Sequence, residues 1–232
     1  MDPIAHTLAG AALAETGLKR TTRLATATSI IGANLPDIDV IATLWGSDHM
    51  LYWRRGWTHG VLAMAVLPLL LTALMMLWYR SPPPKPDSAP DLNAGWLLLL
   101  SYVAVLSHPL LDWLNTYGVR LLMPFDGRWF YGDTLFIIDP WIWLVAGTVL
   151  VLGQWHVLWV RVAGLLLALA GTVLVWATDL TPLFVKCAWL VGLTAAVALI
   201  WRLKTAPQHH STSAPSPLAI LALYTGATYW FA

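Results

Sequence analysis

The chain is poor in cysteine, in glutamate and in charge of either sign. Of 232 residues one is cysteine, Cys187, which excludes an intrachain disulfide and a thiolate metal site. Charged residues make up 11%, against roughly 25% in soluble domains. The 13 Lys and Arg nearly cancel the 12 Asp and Glu, so no electrostatic partner is implied and nucleic acid is not expected. Glutamate occurs once, at Glu15, and every other acid is aspartate. Exposed helices use Glu freely because it is a good helix former, whereas Asp favours caps, turns and short-armed coordination. An aspartate-dominated set therefore points to carboxylates at helix ends or in a site.

Apolar sequence fills the space. Hydrophobic residues are 58% of the chain and mean hydropathy is +0.66, which excludes a disordered chain, a coiled coil and an ordinary soluble globule. Five runs approach the ~20 apolar residues that a bilayer crossing needs: Val61–Tyr79, 95–114, 141–160, 162–178 and 183–201. A sixth run, 218–232, is short. Tryptophans cluster at the run ends (Trp78, Trp96, Trp113, Trp141, Trp159, Trp176, Trp201), the arrangement expected at membrane–water boundaries. The Pro-rich stretch 81–91 and the Pro/Ser/His-rich stretch 206–217 read as connectors, and His209 and His210 in the latter are not counted with any site.

The first 60 residues are more polar. Asp2-Pro3 is a helix start and Gly17 a helix stop. Residues 21–33 form a second helical stretch, and Leu35-Pro36 is expected to break it. Both helices are too short for confident spans, and they are expected to pack within the bundle or lie at its interface. The fold class is thus all-α: a polytopic helical membrane protein of five to six spanning helices plus these N-terminal helices. It is one membrane-embedded domain, 1–232, with site-bearing helices at 1–60, a bundle at 61–203, a linker at 204–217 and a last short helix at 218–232.

Ionisable residues within or beside membrane helices are expensive and usually functional. Five stretches stand out: His6 in AHTLAG, Asp37 and Asp39 in NLPDIDV, His59 in GWTHG, His108 and Asp112 in SHPLLDW, and Asp133 with Asp139 in GDTLFIIDP. His108 and Asp112 lie four apart, so one helical face carries both and they suit one metal ion. Asp37 and Asp39 have no nearby base in sequence and need a cation. Each feature also has a bland counterpart: a helical hydrogen-bonded pair, a capping Asp, an interfacial anchor at His59, a core histidine at His6. Topology joins them. If Val61–Tyr79 crosses from one side to the other and 95–114 returns, then His59, His108, Asp112, Asp133 and Asp139 share one membrane face. Asp112, at a span end, is expected to be half-exposed. His156 and Lys186 fall outside this set and are not expected to be ligands.

Three histidines with several aspartates suit Zn2+, with Mn2+ as second choice. The excess of carboxylates suggests two ions bridged by one Asp, a centre suited to phosphoester hydrolysis. Arg54, Arg55, Arg120 and Arg128 fall on the same face and could clamp phosphate, although Arg54 and Arg55 taken singly read better as interfacial anchors.

The strings MDPIAHTLAG, LPDID, GWTHG and SHPLLDWLNTYGVRLLMPFDGRWFYGDTLFIIDP resemble the bacterial YdjM-like family of membrane-bound metal-dependent hydrolases, also described as LexA-binding and inner-membrane-associated. The resemblance covers roughly residues 1–180. It implies a multi-pass protein of the bacterial inner membrane with hydrolase activity. A more distant likeness is to zinc-dependent phospholipase C and P1-type nucleases, whose ligand order would here fall on His6, Asp37 or Asp39, His59, His108 and Asp112. The later histidines and glutamate of that pattern have no counterpart, unless Asp133 and Asp139 replace them.

The expected function is hydrolysis of a phosphoester in a lipid-like substrate of the bilayer by metal-activated water. Asp37, His59, His108 and Asp112 would hold one ion; His6, Asp112 and Asp39 or Asp139 would hold a second. Asp37, Asp112 and Arg128 are the expected catalytic side chains. Two other classes compete. A metal-ion or proton-coupled transporter would use the same residues, but nearer mid-membrane and at an internal repeat, and no repeat is visible. A regulatory membrane protein would fit the LexA-binding description, yet no repressor-binding surface is legible. Signatures of zinc proteases (HExxH) and serine hydrolases (GxSxG) are absent.

Overall fold

The computed structural model describes residues 1–80, 90–179 and 181–205. Its helices are α1 (Pro3–Glu15), α2 (Ala25–Asn34), α3 (Ser47–Trp53), α4 (Val61–Tyr79), α5 (Ala94–Trp113), α6 (Pro140–Gly153), α7 (Leu158–Ala177) and α8 (Leu183–Thr205), with 3-10 segments at Leu18–Arg20 and Leu35–Trp45. Extended pairing among the described residues is limited to two isolated bridges in the α5–α6 connector, Asn115 with Leu135 and Val119 with Phe130. The protein is a helical membrane protein, and α4, α5, α7 and α8 are long and apolar enough to cross a bilayer.

α1 begins where its sequence says it should. The Asp2 carboxylate accepts from the Ala5 N–H at 3.0 Å and Pro3 occupies the first turn. Gly17, in the left-handed region at φ +106°, turns the chain after Thr16. Of the two placements expected for the N-terminal helices, the structure takes the buried one. α2 lies between α1 and α5, and small residues let the backbones approach. A Cβ on Gly10 would stand 2.5 Å from the Ser29 carbonyl oxygen, and one on Gly32 would stand 2.7 Å from the Ala104 Cβ. Close approach through Gly, Ala, Ser and Thr is how helices associate where apolar burial discriminates little.

The elements depart from the sequence reading in three places. The run 141–160 is not one helix: α6 stops at Gly153, a turn follows, and α7 starts at Leu158, so the chain reverses inside an apolar stretch that hydropathy alone reads as continuous. α2 stops at Asn34, as expected at Leu35-Pro36, but the winding does not stop with it. Leu35 keeps right-handed helical dihedrals (φ −59°, ψ −38°) and the chain winds on as a 3-10 segment to Trp45, because a proline in a first helical turn forfeits no intrahelical bond. α8 continues to Thr205, two residues into the expected linker. The rest of that linker, the run 218–232 and most of the Pro-rich stretch fall outside the described residues.

Candidate metal centre

Three pieces of backbone meet at the cluster. The 3-10 segment after α2 brings Asp37, the turn before α4 brings His59, and the last turns of α5 bring His108 and Asp112. One ligand atom from each of these four residues lies within 4.8 Å of the other three. His59 Nε2 is 3.0 Å from His108 Nε2 and 3.3 Å from Asp112 Oδ2. His108 Nε2 is 3.5 Å from Asp112 Oδ2 and 3.8 Å from Asp37 Oδ1, and His59 Nε2 is 4.0 Å from Asp37 Oδ1. Tetrahedral zinc with bonds of ~2.0–2.2 Å needs ligand atoms roughly 3.3–3.6 Å apart. The observed edges bracket that spacing.

The surrounding bonds set which nitrogen faces inward. His108 Nδ1 lies 2.7 Å from the Ala33 carbonyl, which can only accept, so Nδ1 carries the proton and Nε2 presents a lone pair. His59 Nδ1 lies 3.0 Å from Thr58 Oγ1, and that hydroxyl donates in turn to Asp39 Oδ2 at 3.2 Å. Nδ1 of His59 is therefore the donor as well, and its Nε2 is also bare. Two imidazole lone pairs thus face each other beside two carboxylates. Both oxygens of Asp37 and Oδ2 of Asp112 are buried without a hydrogen-bond partner. Buried acceptors left in this state are costly, and a cation among them removes the cost. Ligand histidines held by a backbone carbonyl or a hydroxyl–carboxylate relay are the usual outer layer of a metal site. The residues fit a divalent ion. Burial holds His59 well below the ordinary histidine pKa, keeping it in the neutral form that binds metal.

Asp39, expected as a ligand, stands one layer out. Its carboxylate accepts from the Arg55 backbone N–H at 2.8 Å, from Arg54 at 3.0 Å and from Thr58. The cation that Asp37 and Asp39 lacked in sequence is Arg54, which also reaches Asp37 at 3.4 Å. His6 stacks on His108 with ring centroids 3.7 Å apart and approaches Asp112 Oδ1 at 3.3 Å. That second oxygen of Asp112 is crowded by donors: the Arg55 guanidinium at 3.1 Å and the Met1 amino group.

Asp112 is fully buried, not half-exposed. Met1 and Leu135, from α1's start and the α5–α6 connector, pack with Leu111 over the end of α5. Asp139 caps α6, accepting from the Trp141 and Ile142 N–H groups at 2.9 and 3.3 Å. Asp133 sits in the connector with φ +52°. Arg128 is largely exposed and pairs with Asp126 at 2.6 Å. Arg120 braces the site from outside, donating to the Arg54 carbonyl at 2.9 Å. Lys186 lies over the Trp176 ring and His156 in the α6–α7 turn, neither of them in the four-residue cluster.

Sequence reasoning undervalued Arg55. It is buried, donates to Asn115 Oδ1 at 2.9 Å and to the Gly118 carbonyl at 3.2 Å, and lies over the Tyr117 ring. Its backbone is left-handed, φ +51°, which turns a residue expected as an anchor into the interior. Asn115 was missed too, although it continues the His108–Asp112 face at the next helical step and donates to Asp112 Oδ1 at 3.3 Å.

Two known proteins and one family match parts of the chain. Over 105 residues the chain is 34% identical to inner membrane protein YbcI of Escherichia coli (strain K12), covering 44% of this chain and 54% of that protein. Over 116 residues it is 26% identical to uncharacterized protein YfhP of Bacillus subtilis (strain 168), covering 50% of this chain and 32% of that one. The matched parts are about half and a third of those relatives' lengths. No solved structure matches, so the likeness to zinc-dependent phospholipase C rests on ligand order alone. Residues 1–181 match the family of the YdjM inner membrane protein, a stretch that holds the entire cluster, and the chain belongs to that family.

Proposed function

We propose that the protein is a metal-dependent hydrolase of the bacterial inner membrane that cleaves a phosphoester of a lipid-like substrate. The observation that carries this reading is the convergence of Asp37, His59, His108 and Asp112 on one point, with bare nitrogen and oxygen acceptors turned inward. A divalent ion held there, Zn2+ by donor type and spacing with Mn2+ as second choice, would supply polarisation of a phosphoryl oxygen and activation of water near neutral pH. The protein's own part is positional. The Ala33 carbonyl and the Thr58–Asp39 relay orient the two imidazoles. Arg55 and Asn115 hold Asp112. Asp37 is the one member of the four whose side chain is not fully buried, at 14% exposure, although its two oxygens are covered, so the cluster lies nearest the surface on its side. Arg54, beside Asp37 and 19% exposed, would meet a phosphate oxygen there, one of the four arginines the sequence offered for that role and a better candidate than the outlying Arg128.

His6 and Asp112 are the residues that would hold a second ion, but Arg55 already stands 3.1 Å from the Asp112 oxygen nearest His6; one ion is the simpler occupancy. The transporter alternative is disfavoured by position, since His59 precedes α4 and Asp112 ends α5, away from mid-span.

The test is elemental analysis and turnover of purified protein against phospholipids and polyprenyl phosphates with Zn2+ or Mn2+. Wild type is expected to retain metal, and His59→Ala and His108→Ala each to lose most of it. Equal metal in all three proteins sinks the site. Metal-independent behaviour on every phosphoester, with metal flux in proteoliposomes, favours transport.

A further inference from the structure

The segment between α2 and α4 has a surface the hydrolase reading leaves unexplained. It includes none of the four helices able to cross a bilayer, yet it exposes large apolar side chains on a scale that water would penalise. Leu44 is 80% and Trp45 67% exposed, with Ile38, Val40, Ile41, Leu51, Tyr52 and Trp53 exposed beside them. The 3-10 segment Leu35–Trp45 packs inward on α2, α4 and α5 while α3 folds back on it. The outer face of this hairpin is uncovered among the described residues. Contiguous exposed apolar surface of this kind marks a membrane or protein contact.

The same face holds an open-mouthed cavity of about 480 Å3, within the ~300–1,000 Å3 of ordinary small-molecule sites. Ile38, Ala42, Trp45 and Trp53 supply its apolar walls, and Asp39, Thr58 and His49 its polar lining. Asp39 and Thr58 are the two groups that orient His59, so this cavity adjoins the cluster through one layer of side chains.

We propose that the hairpin Leu35–Trp53 lies in the headgroup region of the bilayer and that its cavity seats a hydrocarbon chain of a membrane lipid, bringing that lipid's polar group to the metal cluster. Lipid is favoured over another occupant by continuity. The hairpin leads from α2 into the start of α4 and packs against α5, with its Asp37 3.8 Å from His108 near the end of α5, so it sits at the level where these two spanning helices leave the bilayer. Its exposed face is rich in aromatics, with Trp45, Tyr52 and Trp53, the composition of interfacial belts. Calling the seated lipid a substrate rests on the hydrolase reading; the insertion and the seating do not.

The experiment uses the full chain in nanodiscs on a Cys187→Ser background, with a bimane label at Leu44→Cys. Lipids carrying a doxyl group at carbon 5 are expected to quench the label strongly and aqueous iodide weakly. Strong iodide quenching without lipid quenching overturns the insertion. Protection from both quenchers, with disulfide-linked dimers at Leu44→Cys, assigns the face to a second copy and overturns it equally. A second arm compares decyl phosphate with inorganic phosphate on the zinc-loaded protein. Decyl phosphate is expected to raise the melting temperature of wild type well above the rise given by inorganic phosphate. Ala42→Phe is expected to lose that difference while keeping the rise given by zinc. An undiminished difference in Ala42→Phe overturns the cavity's role. If Ala42→Phe loses the zinc response as well, Ala42→Val carries the same comparison. Lipid quenching and chain-dependent stabilisation without turnover of any phosphoester would remove the hydrolase reading alone. Turnover with an iodide-exposed label would remove this inference alone.

Discussion

α5 and α8 are both apolar helices of spanning length, and they do opposite things. Mean hydropathy is 1.6 for α5 and 2.2 for α8, yet 44% of the α5 span is buried inside the protein against 6% of α8. α5 packs through small and medium residues, with Leu97, Leu100, Ser101, Ala104, Val105 and His108 buried in sequence, and it ends in the cluster. α8 is held mainly by Trp189, its one buried residue, whose indole donates to Thr172 at 3.0 Å, meets Trp141 edge-on and fills the space against Gly171. The difference shows that hydropathy selects which segments enter a bilayer, whereas burial of polar groups selects which segment carries chemistry. Polar side chains in hydrocarbon need partners, and partners come only from packed neighbours.

The sharpest way to break the comparison is at Asp112. Asp112→Asn is expected to abolish metal-dependent turnover and most metal binding. It also removes the buried counter-charge of Arg55, a loss worth roughly 3–5 kcal/mol for a buried pair. Thermal melting and elemental analysis of the same sample check both; a fully stable, metal-replete variant would show that Asp112 is neither ligand nor counter-ion. Trp189→Ala is expected to cost about as much, ~3–5 kcal/mol for a large buried aromatic, while leaving metal content unchanged. Metal loss in this variant would mean that α8 supports the site after all.

Gly32→Val probes the packing that brings α2 to α5. Its Cβ would meet the Ala104 Cβ at 2.7 Å and the Leu71 Cδ2 at 3.1 Å, and overpacking of this kind costs ~1–3 kcal/mol. Because Ala33, the next residue, holds His108, bound metal is expected to fall along with the melting temperature. The smallest effect is expected of Asp139→Ala, which removes the α6 cap at ~0.5–2 kcal/mol with metal content intact. If metal disappears there, Asp139 belongs to the coordination sphere as the sequence first suggested.

The legibility of this protein divides by interaction range. Val61–Tyr79 matched α4 residue for residue because a proline-rich stretch and a glycine bound an uninterrupted apolar run. The α6–α7 turn was passed over because only Gly153, Gln154 and His156 interrupt the apolar run there, and the packing of the two helices against each other reveals the reversal. His108 and Asp112 could be paired from their spacing, since four residues along a helix return a side chain to the same face. Their union with Asp37 and His59 could be suspected from topology, but only tertiary structure brings the four into reach. Arg55 and Asp39 show the limit most plainly. Their roles depend on one left-handed backbone turn and on a 3-10 winding that sends Asp37 to the cluster and Asp39 away from it.

The sequence alone determined that the chain is helical, enters a membrane, and carries His and Asp in short motifs, because composition and periodicity act through solvent transfer and local geometry. The tertiary structure decided which carboxylate faces the cluster, which one orients a histidine, and which arginine is buried. Those assignments depend on contacts between residues 16 to 75 positions apart, which no local pattern encodes.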